Sequence, residues 1–199
     1  MKQPVFTEAL KILDGKFCNL PFHQERIFRT SKTFFEKPAR IDLSESDIPL
    51  EYRNGIVKCR IIYSGHVIGI EYQHYKFRTI RKLKLVVDDA IDYSFKYADR
   101  HDIDNLLSRK HECDDILIVK NGCITDTSFS NVVFRNESGL YTPASYLLAG
   151  TKRRLLLEQS IIQEKEIKAE DIKEYSRLYI INTMIGLEDN VSLDTSDLI

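Results

Sequence analysis

The chain has 199 residues, 43% of them hydrophobic and 30% charged, with a formal net charge of −1. That allows one sizeable domain or two small ones of ordinary globular composition. Such a balance gives no strong pull toward nucleic acid or an anionic membrane, and no apolar run approaches the ~18 residues of a bilayer-spanning helix.

The opening "MKQPVFTEALKILDG" lacks the apolar stretch of a secretory signal. Cys18, Cys59, Cys113 and Cys123 form no C-x-x-C pair and no zinc-like spacing with histidine. They read as reduced thiols, which implies a cytoplasmic setting and no metal site.

Residues 5–13 read as a strand, closed by the turn signal Asp14-Gly15. Residues 20–35 carry helical spacing, with Leu20, His23, Ile27, Phe28, Phe34 and Phe35 toward one side and Pro21 in the first turn. "KPARIDLSESDIP" (37–49) is a polar loop or a short helix. Residues 56–63, 67–75 and 79–87 follow as three strands of an antiparallel meander, with Ser64-Gly65 turning the first into the second. The basic run "FRTIRKLK" (77–84) alternates with apolar residues, as the solvated face of a strand does.

"VVDDAID" (86–92) resembles a linker, so the chain is expected to divide into an amino-terminal lobe over 1–88 and a carboxy-terminal lobe over 89–199. Residues 99–110 read as a helix capped by Asp99. Hairpins are marked at Asn121-Gly122 and Ser138-Gly139. Gly150 precedes a helix that has Thr151 near its start, and residues 177–182 form a last buried strand. The expected class is α+β: two small lobes of mostly antiparallel sheet with packed helices.

Four stretches carry candidate chemistry. In "FKYADR" an amine, Lys96, lies between Phe95 and Tyr97. Partial desolvation there would lower its pKa and suit it to Schiff-base formation with a carbonyl such as that of pyridoxal phosphate; a surface lysine with its stem on apolar neighbours fits as well. In "NGCITDTSFSNVVF" the carboxylate of Asp126 could hold a proton on a pyridine nitrogen, or the segment could simply edge a hairpin. In "LLAGTKRRLLLE" a glycine before a helix start suits an anion, although many helices begin so without one. In "LPFHQERIFRT" His23 and Arg26 share a helix face, where Arg26 could grip phosphate or lie on the surface.

The order of these pieces, continued by "GLYTP" and "INTM", resembles the class IV pyridoxal-phosphate enzymes from about residue 8 to about 185. That family includes branched-chain and D-amino-acid aminotransferases and 4-amino-4-deoxychorismate lyase. The resemblance implies a D-amino-acid-aminotransferase-like fold, pyridoxal 5′-phosphate as cofactor, a small amino substrate, a homodimer, and no nucleic-acid or membrane partner.

By the same resemblance Lys96 is the Schiff-base lysine, Asp126 the acidic partner of the pyridine nitrogen and Arg26 a phosphate contact. Thr151 and Lys152 supply backbone N–H groups to that phosphate, Thr183 and Met184 form a second turn near it, and Asn131 closes the strand motif structurally. The Asn-Thr-Met turn is closer to the lyase pattern than to that of the transaminases. Three departures stand out: an Asp where the family usually has Glu, only "TEALKI" (7–12) left of the usual opening segment, and a Lys96-to-Asp126 interval of 30 positions that is slightly short. The late start predicts that part of the substrate wall is missing or comes from a partner subunit.

Overall fold

The computed structural model describes residues 3–39 and 41–199. Residue 40 of the 37–49 loop and the first two residues of the opening stretch lie outside the described residues. Two compact units emerge, one comprising the chain up to Lys76 together with Phe95–Asp99, the other Phe77–Ser94 and Arg100–Ile199.

In the first unit, β1 (Phe6–Leu13), β2 (Lys16–Phe17), β3 (Ile56–Tyr63) and β4 (Val67–His74) form one antiparallel sheet in the order β2-β1-β3-β4. Asp14 and Gly15 both take positive φ, 47° and 78°, which gives the two-residue turn its left-handed backbone and makes Gly the fitting second residue. Strict alternation in β3 puts Val57, Cys59, Ile61 and Tyr63 into a core with Phe6, Leu10 and Ile12.

Helix α1 (Leu20–Phe34) turns His23, Arg26, Ile27, Thr30 and Ser31 inward. The stripe has helical spacing but is mostly polar, and Phe28, expected inside, is 43% exposed. The reason is Glu8: a fully buried carboxylate on β1 needs charged and hydrogen-bonding partners, and α1 supplies them.

In the second unit, β5 (Leu83–Val87), β6 (Asp115–Lys120) and β7 (Cys123–Thr127) form a three-stranded sheet. A five-stranded sheet runs in the order β10-β9-β8-β11-β12, built from β8 (Asn131–Asn136), β9 (Gly139–Pro143), β10 (Gln163–Lys165), β11 (Arg177–Ile181) and β12 (Ser192–Asp194). Among the described residues β5–β6 and β9–β10 run parallel and the other strand pairs antiparallel. Helix α2 spans His101–Leu107, and α3 (Thr151–Glu158) packs Leu156 with Val133, Ile162 and Ile181. The α+β class and the mostly antiparallel sheets are as the sequence leads one to expect.

Several expectations need correction. The third strand of the meander is not paired with β4; it is β5, starting at Leu83 and parallel to β6. The basic run before it is mostly non-strand chain, held where the Arg81 and Lys82 backbone N–H groups donate to Asp114. Residues 86–92 are not a free linker. Asp88 accepts from the Ala90 and Ile91 amides, and Asp89 accepts from that of Asn121. The position before α2 is Arg100 rather than Asp99. β12 follows the strand expected to be last.

The division between units also differs from 88/89. Residues 77–94 cluster with the second unit, whereas Phe95–Asp99 returns to the first. That return is hydrogen-bonded, since the Thr7 N–H donates to Lys96 O at 2.9 Å and the Ala98 N–H to Val5 O at 2.8 Å.

Candidate active site

The first unit contributes an amine and a buried charge cluster. Lys96 is half-buried, at the centre of a tight turn closed by the Tyr97 N–H donating to Phe95 O at 2.9 Å. Both flanking rings are anchored: Phe95 packs edge-on against Phe34 at 4.8 Å, and Tyr97 lies 5.2 Å from Phe6. The lysine backbone is therefore pinned on both sides and bonded to β1 one residue from Glu8.

Glu8 accepts from Arg26 Nε at 3.0 Å and from an Arg26 Nη, and His23 Nδ1 lies 2.7 Å from its Oε1. Burial pushes the Glu8 carboxyl up. The Arg26 guanidinium, helped by His23, outweighs that and holds it down at about 2. The same desolvation, with the Glu8 charge, pushes Tyr63 up to about 12. Arg26 thus sits on a helix face as expected, but much of its donor fork serves Glu8. The carboxylate on β1 belongs to none of the four stretches that carry candidate chemistry in the sequence. The signal that could have found it is a lone acidic residue amid the alternating apolar positions of a strand.

The second unit contributes a carboxylate and a helix start. Asp126, on β7, is buried and accepts from three uncharged amides: Asn131 Nδ2 on Oδ1 at 2.8 Å, and the Leu147 and Leu148 backbone N–H groups on Oδ2 at 3.2 and 2.9 Å. Desolvation raises its pKa to about 6 despite these donors. Asn131 Nδ2 also donates to Leu148 O at 3.0 Å, which locks the carboxylate, the asparagine and the 144–150 loop together.

Gly150 leads into α3, which starts without a side-chain cap. Thr151 is buried there, and Lys152 directs its ammonium to Glu188 at 3.6 Å. Gly150 lies directly against Asn131, where a Cβ would overlap Oδ1. Asn182 donates to Ser130 Oγ at 2.8 Å and accepts the Met184 amide at 2.8 Å. The backbone N–H of Met184 is therefore occupied within its own turn, and its side chain is buried.

The structure thus brings Asp126, Asn131 and Gly150 together within one unit, with the 182–185 turn tied in through Ser130, and sets Arg26 on α1 and the Lys96 segment against β1 of the other. Within each unit these residues suit one part of a phosphorylated pyridine aldehyde. Asp126 is a buried carboxylate with no charged hydrogen-bond donor, a setting that suits a protonated ring nitrogen. The uncapped start of α3 offers backbone N–H groups to an anion, and Lys96 is a fixed primary amine.

The amino-transferase class IV family model matches residues 96–188. A protein of Haemophilus influenzae is 39% identical over 187 residues, which cover 92% of this chain and 99% of the relative. A crystal structure from Haemophilus somnus 129PT, of a protein provisionally named a 4-amino-4-deoxychorismate lyase, is 35% identical with a TM-score of 0.83, covering 94% of this chain and 99% of that one. A hypothetical aminotransferase of Mycobacterium tuberculosis in its pyridoxal-phosphate-bound form shares the fold at 17% identity and a TM-score of 0.70, covering 91% and 78%. The first two relatives are about as long as this chain. The chain belongs to the amino-transferase class IV family and is a pyridoxal-phosphate-dependent enzyme.

Proposed function

We propose that this enzyme is a 4-amino-4-deoxychorismate lyase, in which Lys96 carries the cofactor and Asp126 pairs with its ring nitrogen. The observation that carries the cofactor chemistry is the setting of Asp126: a buried carboxylate whose hydrogen bonds all come from neutral amides, so that desolvation raises it to about 6. The lyase reading is supported by near-full-length similarity to the Haemophilus somnus protein and by the Asn182-Thr183-Met184 turn.

When bound, the cofactor supplies an aldehyde for the substrate amine and a cationic ring that acidifies the adjoining C–H. Lys96 would hold the aldehyde carbon covalently and, once displaced by the substrate amine, take the proton from the carbon bearing that amine. Asp126 would accept the ring N–H and keep it protonated. Arg26 and the backbone N–H groups of Thr151 and Lys152 would hold the phosphate, with Thr183 beside it. Aminodeoxychorismate would then lose its enolpyruvyl group, giving p-aminobenzoate and pyruvate. A homodimer in the cytoplasm goes with this reading; the four cysteines are free thiols, and no helix among the described residues is long and apolar enough to cross a membrane.

Incubation with aminodeoxychorismate should release p-aminobenzoate and pyruvate in equal amounts. Amino-group transfer from D- or branched-chain amino acids to 2-oxoglutarate, with no p-aminobenzoate formed, would overturn the lyase assignment in favour of an aminotransferase.

A further inference from the structure

Arg153 has no part in the chemistry above, yet its environment is unusual. It lies in the first turn of α3 and is 6% exposed. Its Nη2 donates to Pro143 O at 3.0 Å and pairs with Glu164 at 3.1 Å. Its guanidinium carbon sits 4.2 Å above the Tyr146 ring. Its Nε is buried without a hydrogen-bond partner. A half-satisfied buried guanidinium is costly, and the Glu164 carboxylate, 46% exposed, offsets little of that. Helix stability alone gives no reason to keep it.

The groups it touches lie at the base of the loop that holds Asp126. Pro143 ends β9 and Tyr146 is the residue before Leu147, so Arg153 fastens the loop just ahead of the two amides donating to Asp126 Oδ2. Two further ties act at the same base: the Ala144 N–H donates to Lys165 O at 2.9 Å, and Ser145 Oγ donates to Ile124 O at 2.7 Å. The Arg153 cation also acts directly on Asp126, favouring the carboxylate over the acid.

We infer that Arg153 is a positioning residue for Asp126: by clamping the 143–148 loop it keeps the Leu147 and Leu148 amides on the carboxylate, so that a proton shared with a bound pyridine stays on the ring. The inference rests on the cofactor reading of Asp126. The physical content is a competition for one proton. Each N–H donor on the carboxylate, and each nearby cation, stabilises the ionised acid. If the clamp is loosened the carboxylate becomes more basic, the proton moves to Asp126, and the ring loses its charge.

The test uses holoenzyme reconstituted with cofactor labelled with nitrogen-15 in the ring, whose chemical shift reports ring protonation directly. Asp126→Asn should move the shift to that of the neutral pyridine. Arg153→Met should lower the protonated fraction by about twofold or more. Arg153→Lys, which keeps the charge without the flat fork, should recover less than half of that loss. Tyr146→Ala keeps Arg153 and alters a residue 38% exposed, so it decides the matter if Arg153→Met does not fold; it should shift the ring in the same direction. An unchanged shift in Arg153→Met, or in Tyr146→Ala where that variant decides, alongside a changed shift in Asp126→Asn, would overturn the positioning role alone. An unchanged shift in Asp126→Asn would overturn the cofactor reading beneath it.

Discussion

At the scale of single residues, two buried carboxylates are pushed in opposite directions, and the difference is their company. Glu8 has a guanidinium in contact and lies at about 2, below its ordinary 4.5. Asp126 has neutral amides and lies at about 6, above its ordinary 3.8. The linkage to stability follows with opposite signs. The Glu8 contribution is present above pH 4.5 and lost as pH falls through about 2. The Asp126 contribution is present below pH 3.8 and lost as pH rises through about 6. Each amounts to about 3 kcal/mol on the order-of-magnitude scale of 1.36 kcal/mol per pH unit.

Asp126→Asn removes the titrating group but sets an NH2 against one of those amide N–H donors, so its effect on the cofactor-free protein should be more favourable at neutral pH than near pH 4, by up to about 3 kcal/mol, while weakening retention of the cofactor. Urea denaturation at the two pH values measures this, and equal effects at both would contradict it. Glu8→Gln leaves the Arg26 charge buried without its counter-ion. It should destabilise the protein by about 3–5 kcal/mol at neutral pH, read as a fall in the denaturation midpoint.

At the scale of elements, the start of α3 and the strand motif before it depend on one close approach. Gly150 has an ordinary φ of −71°, so backbone freedom does not call for glycine there. Space does: the position a Cβ would take belongs to Asn131 Oδ1. Gly150→Ala should displace Asn131 from Asp126 and weaken cofactor binding about tenfold, since an orienting partner of a bound group is lost, with little change in helix content by circular dichroism. Retention of full cofactor affinity would show that Asn131 is dispensable.

Elements whose signals are local could be read in the sequence. β1, the Asp14-Gly15 and Asn121-Gly122 turns and the period-two β3 all rest on residues close in the chain. The partner of β5 was not legible, because a parallel pairing across more than twenty intervening residues leaves no local mark. The proposed site was legible in Lys96 and Asp126, which the order of the motifs singles out. It was not in Arg153, which looks like a surface charge until burial is known, and Glu8 shows only as an acid in the apolar phase of β1.

At the scale of the whole molecule, the chain passes from the first unit to the second after Lys76, returns for Phe95–Asp99 and leaves again at Arg100. The returning five residues are held by Phe6 and Phe34 rings and by β1 backbone, with Lys96 at their centre. Such anchoring fixes an amine at the level of its backbone, which a tether to a cofactor requires and a surface lysine does not. The most direct measurement is reduction of the purified, cofactor-loaded protein with borohydride, followed by peptide mass mapping. The account predicts that the peptide containing Lys96, and no other, gains the mass of the reduced cofactor, and that Lys96→Ala abolishes both this adduct and turnover. A stable adduct on a different lysine, or undiminished turnover in Lys96→Ala, would contradict it.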